Sequence, residues 1–308
     1  MNTLEKILNQ YNISEVAPIE MIRESGDNHV YTIGNKEKNI LRVSKRLPLE
    51  DVQFEYEVLQ HLLKNGFPVP AWIKTKDGNF YSSTGDIGVA VMFGFLEGYH
   101  VSINKENLAT KEQAHTAGLA LGTMAEIGKT FKSTSVRTRN IFSELERAIE
   151  NEEIFKRDFE GGEKFIEEAK QAIKFGKENK LPVGLIHNDY RAGNVFFKND
   201  SEISGVIDFD WSCIGPLIKD LALGVLEWSC SDGRTESDFN IFDAFLDGYN
   251  LVSKEKYIKG KELYSWIMFA ALSDTATFFC DRLNNPEQKK SINYSYMYHK
   301  YLFFSKLS

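Results

Sequence analysis

Residues 185–197 read Leu185-Ile186-His187-Asn188-Asp189-Tyr190-Arg191-Ala192-Gly193-Asn194-Val195-Phe196-Phe197. Residues 205–211 read Gly205-Val206-Ile207-Asp208-Phe209-Asp210-Trp211. The skeleton is His-x-Asp, an Asn five residues after that Asp, and a further Asp fourteen residues beyond the Asn. Apolar segments of strand character bracket each polar group. Phosphoryl transfer needs such a set: one carboxylate at the attacking hydroxyl, and an amide and a second carboxylate to hold Mg²⁺ against the phosphates. Turns between short buried strands fix the positions of such groups, and positioning is most of the catalysis. The alternative makes Asp189 and Asn194 turn formers and His187 a satisfied structural histidine. His-x-Asp-x4-Asn alone arises by chance in roughly a few per cent of chains this long. The downstream Ile-Asp-Phe and the upstream elements weigh against chance.

Outward from this stretch the chain changes texture once. Upstream, Tyr31–Ile33 and Asn39–Val43 are β-prone runs with Gly34-Asn35-Lys36 between them, which predicts a hairpin. Apolar residues at 54, 58, 59, 62 and 63 predict a helix over Leu49–Leu63, stopped by Asn65-Gly66. Phe67-Pro68-Val69-Pro70 must be extended. Phe80–Ser82 and Val89–Phe93 are further strand candidates. Beyond Leu96-Glu97-Gly98, helical patterns cover roughly Lys105–Gly128, Ser143–Asn151 and Gly162–Asn179. After the motif they resume at Leu217–Ser229, Ser237–Tyr249, Lys254–Asp281 and Pro286–Phe304. The expected fold class is therefore α+β and bilobal. A β-rich N-terminal lobe over residues 1–96 precedes a larger helical lobe over 97–308. A cleft between two lobes is the natural ligand site.

Composition removes several function classes. The chain has 308 residues, 42 % of them hydrophobic and 13 % aromatic, so it can bury a large core and is not disordered. Its formal net charge is −7, so no nucleic-acid partner is expected. Acidity permits a cationic acceptor and equally serves solubility. Cys213, Cys230 and Cys280 lack metal-ligand spacing and read as reduced thiols. The longest stretches without a charge, such as Gly88–Leu96, are about half a membrane span or less, so no membrane partner is expected. No signal peptide is visible, and a cytoplasmic location is expected.

At residues 187–194, 205–210, Gly215-Pro216 and Asp220-Leu221-Ala222 the chain resembles the aminoglycoside phosphotransferase and homoserine/choline kinase-like group. These are small-molecule kinases with a protein-kinase-like fold, and the resemblance runs from about Val16 to Tyr249. It implies an ATP- and Mg²⁺-dependent kinase, with GTP as an alternative donor, acting on a small-molecule hydroxyl. Asp189 would be the catalytic carboxylate, and Asn194 and Asp208 the metal ligands. His187 would be structural, and Asp220 would tie the catalytic loop to its following helix; a plain helix N-terminal Asp is the alternative. Ser25 and Asn28, within Ser25–Tyr31, would belong to the nucleotide loop. Arg42 would take the place of the strand lysine on the phosphates, although an exposed edge-strand Arg reads the same. Glu55 would orient it, with Glu57 as the rival. Met92, Phe93 and Phe95 would form the hinge at the adenine. Trp228 and the Phe242–Tyr249 stretch suit homoserine-kinase-like members.

The departures from protein kinases are Asn188, Asp208-Phe209-Asp210 in place of Asp-Phe-Gly, and the lack of an Ala-Pro-Glu segment. They favour a small-molecule acceptor. The acidic candidates for binding it are Glu227, Asp232, Asp238, Asp243 and Asp274. The rival functions are a protein Ser/Thr kinase, a non-catalytic nucleotide-binding module of the same fold, and a metal-dependent hydrolase.

Overall fold

The computed structural model describes residues 3–13, 18–25, 28–35, 37–45, 47–83, 88–104, 107–179, 181–230, 236–283 and 291–308. It divides into two compact units. The first joins residues 1–98 to two later segments, 131–138 and 204–210. The second holds the remainder.

In the first unit, α1 (Thr3–Leu8) precedes β1 (Ile19–Ser25), β2 (Asn28–Ile33) and β3 (Asn39–Ser44). Helix α2 (Leu49–Lys64) follows, then β4 (Trp72–Ile73), β5 (Ser82–Ser83) and β6 (Val89–Gly94). The strands form one antiparallel sheet in the order β1-β2-β3-β6-β4, with β5 also on β6. Gly34, at φ +94°, makes the expected hairpin turn. Strand β1 was not anticipated, because Ile19-Glu20-Met21-Ile22 lacks clean alternation. One face of the sheet buries Ile33, Leu41, Val43, Ala90 and Met92 against Ile7 and Tyr11. Helix α2 ends where the sequence predicts: the Asn65 N–H bonds back to His61, and Gly66 takes φ +76°.

The second unit opens with β7 (Tyr99–His100) and α3 (Lys111–Gly128), capped by a reciprocal Thr110–Gln113 pair. That cap begins the helix at Lys111, six residues later than the periodicity suggested. Helices α4 (Ser143–Glu150), α5 (Glu152–Asp158) and α6 (Gly162–Glu178) follow. The motif region supplies β8 (Val183–Ile186), β9 (Val195–Asn199), β10 (Glu202–Val206) and β11 (Cys213–Pro216). Then come α7 (Leu217–Ser229), α8 (Phe239–Val252), α9 (Lys261–Cys280) and α10 (Tyr296–Ser305). Strand β8 pairs antiparallel with β11, and β7 with β9. A Cβ on Gly118 would lie 2.0 Å from the Phe245 carbonyl oxygen, and one on Gly248 2.0 Å from that of His115. Small residues thus let α3 and α8 lie almost backbone to backbone.

Helix α7 is buried on nearly every face. Trp228, singled out in the sequence for its likeness to homoserine-kinase-like members, lies wholly in this core between Phe197 and Phe245. Helix α9 is long and apolar enough to cross a membrane by length and composition. The charge-free run Trp266–Leu272 inside it is short in the sequence because Asp274 follows closely. The helix packs within the unit, burying Leu263, Trp266, Ile267, Phe269 and Phe279. All three cysteines are buried thiols.

Candidate active site

The His187–Asn194 motif lies in the second unit, between β8 and β9. Asp220, in the first turn of α7, takes two backbone hydrogen bonds from it. The His187 N–H donates to Asp220 Oδ2 at 2.7 Å and the Asn188 N–H to Oδ1 at 2.8 Å. Asp220 is thus more than a favourable helix-start carboxylate. The His187 ring is wholly buried, its Nδ1 accepts the Asp189 N–H at 3.2 Å, and Tyr190 packs edge-on against it. Tyr190 in turn donates its hydroxyl to the Ala117 carbonyl at 2.9 Å, which moors the loop to α3.

Asn188 has φ +66°, in the left-handed region that Asn tolerates better than most residues. Its side chain accepts a hydrogen bond from the buried Lys219 ammonium and donates to the Trp211 carbonyl at 3.2 Å. These bonds aim the next residue. Asp189 keeps part of its carboxylate exposed. Its Oδ1 accepts from Arg191 Nε at 2.8 Å, and its Oδ2 from Asn194 Nδ2 at 3.0 Å. The same Asn194 nitrogen donates to the Asp189 carbonyl at 2.8 Å. With the amide nitrogen so engaged, Asn194 Oδ1 is the end left to meet a cation, and no hydrogen bond reaches it among the described residues.

In the first unit, Arg42 on β3 and Glu55 on α2 form a buried bidentate pair. Glu55, two-pronged on the guanidinium, is therefore the partner. Glu57 points elsewhere, accepting hydrogen bonds from Ser133, Ser135 and the backbone and hydroxyl of Thr134. Burial pushes the Glu57 carboxyl up, but those bonds outweigh it and hold it down at about 2. The edge-strand alternative for Arg42 falls, since β3 lies between β2 and β6 and the side chain is buried. Burial works against the Arg42 charge, yet Glu55, Asp210 and Asp208 together raise its pKa. Arg42, Glu55, Asp208 and Asp210 thus share one electrostatic neighbourhood in this unit. Asp208 has φ +67°; it and Asn188 are the two described non-glycine residues with positive φ, and both lie in the motifs. Local strain of this kind concentrates at functional turns.

The remaining nucleotide-site candidates divide. Ser25 ends β1 opposite Asn28 of β2. Gly26 and Asp27 between them lie outside the described residues, as does the Ser25 side chain. Met92 is corrected: its side chain is buried in the core under α1, and its backbone lies between Leu41 of β3 and Ile73 of β4. Strand alternation explains this, because Phe93 faces the other way, edge-on to Trp72 and beneath the Arg42 guanidinium. Phe95, past the strand end, is 36 % exposed.

The acidic candidates also separate. Asp238 caps α8, and Asp243 pairs with Lys259 at 2.6 Å. Glu227 holds the fully buried Lys300 at 3.0 Å. Asp232 lies outside the described residues. Asp274 alone of the four described has no hydrogen bond or ion pair among the described residues. Burial first, then Glu227 and more weakly Asp189, push its carboxyl up to about 7, against the pull of Lys219 and Arg191.

The donors fit a hard divalent cation. No cluster of three or more His, Cys, Asp or Glu side chains among the described residues could cage a metal. Mg²⁺ takes few protein ligands, one or two carboxylates or amides, and fills its shell with phosphate oxygens and water. Sequence reasoning did not anticipate Arg137. Its guanidinium donates to the Asp210 carbonyl and pairs with Asp51 at 3.2 Å. A polar, Ser/Thr-rich segment carries no periodicity that would have marked it.

A model described as "phosphotransferase enzyme family" matches residues 19–258. The homoserine kinase of Brucella anthropi is 28 % identical over 291 residues, covering 92 % of this chain and 85 % of the relative. That of Rhodopseudomonas palustris is 27 % identical with the same coverage. Among solved structures, an amicoumacin kinase in complex with AMP-PNP, Ca²⁺ and Ami superposes with TM-score 0.77 at 14 % identity, covering 99 % of this chain and 92 % of that one. A microcompartment-associated aminopropanol kinase gives 0.72 at 17 %, covering 99 % and 96 %. Choline kinase from Cryptosporidium parvum gives 0.66 at 12 %, covering 99 % and 94 %.

Proposed function

The chain belongs to the phosphotransferase enzyme family and is a small-molecule kinase with a hydroxyl acceptor; on that premise we propose that it phosphorylates a compact amino alcohol or hydroxy amino acid, with ATP as donor and Mg²⁺ as the metal. The observation that carries the reading is the support around Asp189. Asn194 and Arg191 orient its carboxylate, and Asp220 holds the loop that presents it. A carboxylate so fixed can align an acceptor hydroxyl and take its proton as the oxygen attacks. Asn194 Oδ1 in the second unit and the Asp208 carboxylate in the first are the metal-ligand candidates that the resemblance marks. When bound, the cation neutralises charge on the phosphate oxygens. Arg42 adds a guanidinium that Glu55 holds in one orientation, with a second N–H on each terminal nitrogen still available to phosphate. Phe95 is the exposed apolar surface at the strand end where an adenine ring would rest.

Asp274, which has no ion pair among the described residues, shares the electrostatic neighbourhood of Asp189 in the second unit and is the carboxyl that suits an acceptor ammonium. An ammonium beside Asp274 would favour its ionised form. An acceptor screen coupled to ADP release tests the reading, with homoserine, amino alcohols, aminoglycosides and sugars as arms. Turnover confined to the first two supports it. Turnover with aminoglycosides or sugars alone would overturn the acceptor class.

A further inference from the structure

Helix α2 carries one stripe of side chains, Asp51, Phe54, Glu57 and His61, at successive turns. The segment 131–138 lies along that stripe. Phe131 packs edge-on against Phe54 and His61. Ser133, Thr134 and Ser135 converge on Glu57. Thr138 donates its N–H and hydroxyl to Asp51 at 2.9 and 2.6 Å. Arg137 completes the strap. It lies 5.3 Å from the Phe54 ring, pairs with Asp51, and donates from its other terminal nitrogen to the Asp210 carbonyl. The Arg137 and Asp51 side chains are both nearly buried, at 7 % and 4 % exposure, so water screens this ion pair little.

The two ends of the bridge are functionally distinct. One is the helix whose Glu55 holds Arg42. The other is the turn that begins at Asp208, in a left-handed conformation. We infer that Arg137 is a positioning residue for phosphoryl transfer, fixing the Asp208–Asp210 turn to helix α2 so that Arg42 and Asp208 keep one relative placement. The inference rests on the reading of Asp208 as a metal ligand. Arginine suits the task because its planar fork serves a carboxylate and a carbonyl at once; a lysine in its place keeps the charge but loses the two-ended geometry.

The test compares R137K with E57Q and D208N in the full chain, using binding of a fluorescent ATP analogue titrated with Mg²⁺, urea unfolding, and steady-state kinetics. Loss of a residue hydrogen-bonded to a metal ligand typically costs about 10–100-fold in metal affinity, and Arg137 acts one step further out, on the backbone of the ligand's turn, so the low end of that range applies. R137K is therefore expected to raise the half-saturating Mg²⁺ for nucleotide binding about tenfold. Its kcat should fall while the acceptor KM is unchanged. E57Q loosens the same strap without touching the turn, so it should lower the urea midpoint and leave the Mg²⁺ requirement alone. An unchanged Mg²⁺ requirement in R137K, or an equal rise in E57Q, overturns the inference and leaves the strap merely structural. D208N separates the two levels. If it retains Mg²⁺-dependent nucleotide binding, the metal-ligand reading itself fails; if it loses that binding, a silent R137K counts against Arg137 alone.

Discussion

Arg42 and Glu55 meet through two hydrogen bonds in a buried pair, Nη1 to Oε1 at 3.0 Å and Nη2 to Oε2, thirteen residues apart in the chain. The pair ties the central strand of the first unit to its helix. Both charges are nearly out of contact with water, so each depends on the other.

Glu55→Ala leaves the Arg42 guanidinium buried without its carboxylate. Breaking such a pair costs about 3–5 kcal/mol. Urea unfolding should show a loss of this size, and nucleotide KM should rise. Glu57→Ala, two residues away, should leave nucleotide KM unchanged. The reverse ranking on nucleotide KM would show that the pair has been misassigned to function.

The Asp220 prediction concerns rate more than binding. Asp220→Ala strips the acceptor from the His187 and Asn188 amides, at about 1–3 kcal/mol for each buried donor left unmet. Asp189 follows directly in the chain, so kcat should fall while nucleotide KM stays near the parent value. A raised nucleotide KM with normal kcat would contradict the role of Asp220 as the mooring of the catalytic loop.

Asp274 predicts a pH dependence of stability. Its folded-state carboxyl is pushed up to about 7, whereas an unfolded Asp titrates near about 3.9. Between those values the folded state binds the extra proton, so this group's contribution to stability declines as pH rises from about 4 to about 7. Asp274→Asn removes that decline. Its urea midpoint relative to the parent should therefore be higher at about pH 8 than at about pH 5. An identical offset at both pH values would count against the shift.

What the sequence disclosed follows the range of each interaction. The α2 stop, the Gly34 hairpin and the spacing of Asp189, Asn194 and Asp208 are local, and local turn chemistry and strand character expose them. Asp220 was nameable because the Asp-Leu-Ala resemblance marked it, but its two amide bonds reach back over thirty residues and had to be seen. Glu55 and Glu57 are both carboxylates on one helix. Two positions on a helix differ by about 200° in direction, and only the packing of α2 decides which faces β3. Met92 fell to strand alternation, which puts its neighbour Phe93 on the other face. Strand β11, four residues long, forms only because β8, some thirty residues earlier, offers it an edge. Arg137 and Asp51, 86 positions apart, meet through tertiary packing that no periodicity announces.

The central claim is that Asp189 is the carboxylate that takes up the acceptor hydroxyl. The most direct measurement is the turnover of Asp189→Asn set beside its Mg²⁺–nucleotide affinity. The amide preserves shape and the contact with Asn194 but cannot accept the proton. The account predicts a kcat lower by about 10²–10⁴-fold with nucleotide affinity unchanged. Near-normal turnover in that variant would contradict it.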